Sequence, residues 1–77
     1  MSFTTLDLPE PLFTLELPIS WDEAEAKAFS TELAQAYDLP YKGWLGIESF
    51  YGNNGKLIVL WKSAEPSCDY LIRYYQR

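Results

Sequence analysis

Apolar and polar side chains alternate over residues 12–17, near the start of the chain. Phe13, Leu15 and Leu17 occupy every second position, with polar residues between them. A period of two is typical of a β-strand that has one buried and one solvated face. The pattern therefore predicts a first strand here. Prolines flank it on both sides, and proline cannot donate to a central sheet ladder.

The next segment has the pattern of a helix. Ser20 and Glu23 have the spacing of a capping box, in which the serine side chain accepts a first-turn backbone N–H and the glutamate side chain accepts the Ser20 N–H. Apolar residues then recur at spacings of three and four, as on the buried stripe of an amphipathic helix. This stripe consists of Ala26, Phe29, Leu33 and either Ala36 or Tyr37. Lys27 is placed to pair with Glu23, and Pro40 ends the helix because the residue before proline avoids helical conformation.

The second half of the chain is predicted to form an antiparallel meander. Two runs rich in apolar and aromatic residues, 44–51 and 56–62, are separated by the sequence GNNG at 52–55. Such residues tolerate positive φ, and between two apolar runs they indicate a β-hairpin. Residues 70–75 have the aromatic and branched composition of a last strand. A short C-terminal helix capped by Ser67 is the alternative.

These elements predict one α+β domain over residues 1–77, with one helix packed on a small antiparallel sheet in the order β-α-β-β-β. Residues 1–11 are interpreted as an N-terminal arm. Run 56–62 does not alternate, so it places large apolar groups on both faces of the sheet. A single short helix covers only one face. The second face is expected to be covered either by the arm or by a partner.

Charge narrows the class of partner. The net charge is −5, and it is unevenly distributed: residues 1–40 hold eight acidic residues and one lysine, whereas residues 41–77 hold three acidic and five basic residues. The net negative charge argues against duplex DNA as a ligand, because proteins that bind the phosphate backbone normally carry basic surfaces. The predicted acidic partner-binding set on the helix is Asp22, Glu23, Glu25 and Glu32. The alternative is that these carboxylates cap the helix and keep the protein soluble.

Aromatic residues are abundant in the predicted sheet. Exposed apolar patches mark partner or homodimer surfaces, where tryptophan and tyrosine contribute much of the binding energy. The predicted aromatic partner-binding set on the sheet is Trp44, Phe50, Trp61, Tyr70 and Tyr74. Interleaved with lysine and arginine, such residues also suit single-stranded nucleic acid. That is the alternative function, although the net charge weighs against it.

Catalytic residue types are scarce. The chain contains no histidine, the commonest general base and metal ligand. Cys68 is the single cysteine, so an intramolecular disulfide is excluded, and without a histidine to activate it we expect an inert thiol. No cofactor, metal or enzymatic activity is expected.

The sequence shows neither a signal-peptide pattern nor an apolar run long enough to span a membrane, so we expect a cytoplasmic protein. The leading hypothesis is a small acidic non-catalytic protein–protein interaction module. It would act as an inhibitor or adaptor that occupies a site on a larger protein, of which basic, nucleic-acid-handling proteins are one class. Formation of a homodimer is a further option.

Overall fold

The computed structural model describes residues 10–64 and 66–76. Its elements are β1 (Phe13–Glu16), α1 (Glu23–Ala36), β2 (Glu48–Tyr51), β3 (Lys56–Lys62) and β4 (Tyr70–Gln76). The predicted order and the α+β class are confirmed. The last element is a strand, so the alternative of a C-terminal helix is wrong. Most of the predicted N-terminal arm, residues 1–9, lies outside the described residues.

The four strands form one antiparallel sheet in the order β1-β4-β3-β2. β2 and β3 are the predicted hairpin, and β3 and β4 continue the predicted meander, with Leu60 opposite Ile72. β1 pairs with β4 from its other side, where Leu15 also lies opposite Ile72. β1 and β2 are therefore the two edges of the sheet.

Strand register sorts the side chains onto two faces, because directly paired residues of antiparallel strands point the same way. α1 packs on one face, over a buried cluster that includes Phe50, Ile58, Leu60 and Ile72. The other face carries a second buried cluster of Leu45, Leu57, Val59 and Tyr75. The central strand β3 is therefore buried on both faces, as its uninterrupted apolar run indicates.

In the segment 43–47, Leu45 and Gly46 cover part of the second face, although residues 44–47 were predicted to belong to a strand over 44–51. The strand begins only at Glu48, because the preceding segment folds back over β3. Gly46 adopts a φ of 57°, and a Cβ there would collide with the carbonyl oxygen of Leu60 and approach Val59 Cγ1 to 2.8 Å. Leu45 thereby joins the second cluster. A segment of this chain, rather than a partner, covers that part of the face.

The N-cap of helix α1 lies two residues later than predicted. Asp22 is the N-cap: its Oδ1 accepts the N–H of Glu25 at 2.9 Å, and Glu25 Oε1 accepts the Asp22 N–H at 2.9 Å. The predicted capping box at Ser20 and Glu23 is wrong, because a turn in which the Trp21 N–H donates to the Pro18 carbonyl precedes the helix. A capping box was correctly predicted at the start of the helix, but it lies two residues later than predicted.

Replacing Asp22 with alanine is expected to lower the free energy of unfolding by about 1 kcal/mol, the usual cost of losing an N-cap side chain. Ser20→Ala is the matched control, and its effect should stay within about 0.5 kcal/mol because Ser20 is exposed and outside the helix. Urea denaturation followed by circular dichroism measures both. A larger loss for Ser20→Ala than for Asp22→Ala would contradict the observed cap.

The buried stripe of α1 is made of small residues. Ala26, Ser30 and Ala34 are buried, whereas Phe29 and Leu33 are half-buried beside them. α1 ends at Ala36, so Tyr37 leaves the core stripe and becomes the C-cap. The predicted pair between Glu23 and Lys27 is confirmed at 3.2 Å. In the part of the chain that the structure describes, no helix is long and apolar enough to cross a bilayer.

Candidate interaction surface

The β2 edge of the sheet is covered by the chain itself. The N–H of Lys42 donates to the carbonyl of Ser49 at 2.7 Å, and the N–H of Tyr51 donates to the carbonyl of Pro40 at 3.1 Å. Residues 40–42 therefore use backbone groups that a neighbouring strand would otherwise need. Covering an edge in this way prevents pairing with other chains.

The β1 edge is different, because no strand within the described residues lies beyond it. The N–H of Leu17 donates to the carbonyl of Tyr70 in β4 at 3.1 Å. Backbone bonding alternates along an antiparallel strand, so Leu15 also faces β4, while the N–H and C=O groups of Thr14 and Glu16 point away from it. Among the described residues, β1 is the open edge of the sheet.

Apolar side chains on the helix side of β1 form an exposed surface. Phe13 is 51% exposed, Leu12 is 66% exposed and Leu15 is 37% exposed. The Phe13 ring stacks on Tyr74 with 4.1 Å between centroids, and Tyr37 meets Tyr74 edge-on at 5.7 Å. We call these five residues, Leu12, Phe13, Leu15, Tyr37 and Tyr74, the β1 patch.

The exposure of Phe13 and Leu15 departs from the predicted half-buried strand. Of the three residues of the period-two pattern, only Leu17 is buried. The reason is the position of α1, which contacts β2, β3 and β4 but not β1. The helix therefore leaves the β1 end of the sheet uncovered.

A cavity of about 160 Å³ lies beside the β1 patch, on the side of β3. Leu12, Phe13, Tyr37 and Tyr74 line it, and Lys56 lies at its side. Pockets for drug-sized ligands have volumes of roughly 300 to 1,000 Å³. The cavity is therefore better suited to a single apolar side chain than to a cofactor or a small-molecule substrate.

Two aromatic residues of the β1 patch, Tyr74 and Tyr37, have distinctive electrostatic surroundings. Burial, followed by the neighbouring Tyr37 and its hydrogen bond, raises the pKa of Tyr74 to about 12. Lys56 Nζ lies 5.3 Å from the centroid of the Tyr37 ring, within the range of a cation–π contact. The raised pKa extends the alkaline range in which Tyr74 stays a neutral phenol, and Lys56 places a cation beside the Tyr37 ring.

This pKa has a consequence for stability at alkaline pH. Tyr74 ionises near pH 10 in the unfolded chain and near pH 12 in the folded protein. Since the folded state retains the proton longer, the free energy of unfolding should decrease as pH rises from about 10 to about 12. Urea denaturation across this range, with tyrosinate absorbance at 295 nm, measures the effect. Tyr74→Phe should flatten the slope, and Tyr37→Phe should narrow the pH window; an unchanged slope in Tyr74→Phe would contradict the assignment.

Intramolecular contacts involve most of the predicted acidic set. Asp22 and Glu25 form the capping box, and Glu23 is paired with Lys27. Glu32 is exposed on α1. Helix capping therefore accounts for Asp22 and Glu25 without a partner, and a role of the set in partner binding stays a prediction.

The predicted aromatic set does not share one surface. Phe50 is buried beneath α1, with Tyr70 and Tyr74 half-buried on the same face. Trp61 packs against the cluster on the opposite face, and Trp44 is exposed in segment 43–47. Of the five residues, only Tyr74 belongs to the β1 patch, so the sheet does not present them as a single stacking platform.

Sequence reasoning missed Leu12, Phe13, Leu15 and Tyr37 as surface residues. The first three were assigned to a core strand or its arm, and Tyr37 to the end of the helix stripe. One signal for an edge position was present, because Pro11 and Pro18 closely bracket a short strand and proline is restricted to sheet edges.

The hairpin turn and its surroundings offer few groups that could bind a metal ion. A polar hollow of about 280 Å³ lies near the hairpin turn and is lined by Asp38, Pro40, Asn53 and Asn54. It offers one carboxylate, and the described residues contain no group of three or more acidic or cysteine side chains that could hold a metal ion.

The described residues form a small α+β domain in which one sheet edge is covered by the chain and the other is apolar and open among those residues. No family model, curated protein or solved structure matches the chain. Its function is therefore inferred from the geometry of its own residues.

Proposed function

We propose that this chain is a non-catalytic protein-interaction module that binds another protein through the β1 patch. The observation that carries the proposal is the exposure of Leu12 and Phe13 beside an open strand edge. Exposed apolar surfaces with aromatic rings are where binding energy concentrates at protein interfaces. The small cavity beside Tyr37 and Tyr74 supports a side chain, rather than a free small molecule, as the group that is bound.

Charge favours a basic partner. Glu10 and Glu16 are exposed and flank Leu12, Phe13 and Leu15 in the sequence, and the first 40 residues carry most of the acidic side chains. Complementary charge accelerates association and selects among partners. The module would act as an inhibitor or adaptor by occupying a site on a larger protein, and proteins that handle nucleic acids provide basic surfaces of the required kind.

The expected compartment is the cytoplasm. Cys68 is a free, buried thiol, and a small domain without disulfides suits a reducing environment. Single-stranded nucleic acid is not proposed as a second ligand, because the tryptophans and tyrosines that would stack bases are divided between the two faces of the sheet.

Affinity isolation from the cells that encode the chain tests the proposal with two variants. Phe13→Ser removes the stacked ring from the patch, whereas Glu32→Gln removes an exposed charge from α1 without disturbing the cap. We expect a stoichiometric partner to be recovered with the wild type and with Glu32→Gln, and to decrease at least about tenfold with Phe13→Ser, as for an interface hot spot. Circular dichroism checks that both variants are folded.

The other outcomes are equally informative. Loss of the partner with Glu32→Gln and its retention with Phe13→Ser would show that the partner binds α1 and not the β1 patch. Full retention by both variants would contradict a role for either surface.

A further inference from the structure

We infer further that the partner of the β1 patch docks as an added β-strand on the open edge of β1; this inference rests on the proposed function. The N–H and C=O groups of Thr14 and Glu16 point away from β4, so they can pair with a fifth strand. In strand addition, main-chain hydrogen bonds provide affinity and pockets for alternate side chains provide specificity. The β1 edge supplies the main-chain groups, and the exposed Phe13 and Leu15 supply the side-chain contacts.

The helix side of β1 sets the first requirement on the added strand. Phe13 and Leu15 point to this side and are exposed. Alternate residues of an added strand also point to this side, so they should be apolar. They would pack against the exposed side chains of Phe13 and Leu15.

The opposite side of β1 sets the second requirement. Thr14 and Glu16 point there, and Glu16 accepts a hydrogen bond from the Ser67 hydroxyl at 3.3 Å. Arg73 lies in β4 opposite Thr14, on the inner side of β1. An added strand would lie on the outer side of β1, so a cation on that strand would approach Glu16 from the side away from Arg73. The complementary residues on this side of the partner strand are lysine or arginine.

A second copy of the chain meets these requirements less well. Residues 10–17 contain two glutamates and no basic residue. Pairing of β1 with another β1 would bring these acidic segments together, and like charges on adjacent strands are destabilising. The inferred occupant is therefore an extended segment of another protein, apolar on one side and basic on the other.

Two synthetic peptides serve as probes of the occupant. The first is residues 10–18 of this chain, which represent a second copy, and the second is the same peptide with Glu10→Lys and Glu16→Lys. Titration into the labelled full-length chain, followed by amide chemical shifts, should show saturable binding of the basic peptide at least tenfold tighter than that of the acidic one. The difference should shrink at high salt, because screening weakens interactions between exposed charges.

Thr14→Pro separates strand addition from docking by side chains alone. Proline lacks an N–H, but the Thr14 N–H points away from β4, so the sheet should retain its own hydrogen bonds. Thr14→Val keeps the N–H and a similar shape and is the matched control. Thr14→Pro should weaken binding of the basic peptide at least tenfold, whereas Thr14→Val should bind within about twofold of the wild type.

Hydrogen exchange in the wild-type chain provides a second readout that does not depend on the stability of a variant. The amides of Thr14 and Glu16 should exchange rapidly in the free protein and slowly with the basic peptide bound. The Leu15 and Leu17 amides should be protected in both states, because they face β4.

The remaining outcomes distinguish this inference from the proposed function. Strand addition is overturned if the Thr14 and Glu16 amides stay unprotected in the complex. It is also overturned if Thr14→Pro is folded and binds the basic peptide as well as Thr14→Val does. In either case, loss of the cellular partner with Phe13→Ser would still support binding through the β1 patch. Equal or tighter binding of the acidic peptide would make the occupant a second copy. Binding of neither peptide overturns the inference, and the proposed function fails with it only if Phe13→Ser also retains the cellular partner.

Discussion

Ile72→Ala is expected to lower the free energy of unfolding by about 3 to 4 kcal/mol, in the range for truncating a fully buried aliphatic side chain. Ile72 is fully buried at the centre of β4, where it lies between Leu60 of β3 and Leu15 of β1. A chain of 77 residues has a total stability of roughly 4 to 12 kcal/mol. The substitution should therefore remove a large part of it and lower the melting temperature by more than about 10 °C.

Leu12→Ala is the control for this experiment. Leu12 is mostly exposed, so its truncation should change the free energy of unfolding by less than about 0.5 kcal/mol. Urea denaturation at neutral pH measures both variants. A loss below about 1 kcal/mol for Ile72→Ala would contradict the packing of β1, β4 and α1 around this position.

Gly46→Ala should be more destabilising than Gly43→Ala by about 2 kcal/mol or more, as expected for a clash in a packed region that cannot relax. Both glycines have positive φ, 57° and 70°, so both substitutions carry a similar backbone cost of about 1 to 2 kcal/mol. They differ in what the new Cβ meets. At Gly43 it meets the ring of Tyr41, which is exposed and can move, whereas at Gly46 it meets the main chain of β3 at Leu60.

Thermal and urea denaturation of the two glycine variants provide the comparison. The pair tests whether residues 43–47 pack against β3 and cover part of the second sheet face. Equal destabilisation by the two substitutions would show that the segment is not held against the strand.

The sequence predicts those features that depend on local chemistry. The GNNG turn at 52–55 specifies the hairpin, because its residues tolerate positive φ and the flanking runs favour strands. The helix was also recognised, but its start was misplaced, since Ser20 and Asp22 both precede a glutamate by three residues. The choice between them depends on the turn from Pro18 to Trp21, which local spacing does not reveal.

Features set by tertiary placement were predicted less well. The alternation around Phe13 and Leu15 identifies an apolar strand face but not whether anything covers it. At about 1.5 Å per residue, the 14 residues of α1 form a helix about 21 Å long, and it contacts only three of the four strands. The aromatic set was likewise grouped by composition, whereas pairing register divides Phe50 and Tyr74 from Trp61.

The most direct test of the central claim, that β1 and its patch bind another protein, is a hydrogen-exchange footprint of the wild-type chain alone and in its isolated cellular complex. We expect slowed exchange of the Thr14 and Glu16 amides, which point away from β4, and around Tyr37 in the complex. Slowed exchange confined to the first turns of α1, or to the segment around Trp44, with β1 unchanged, would contradict the claim.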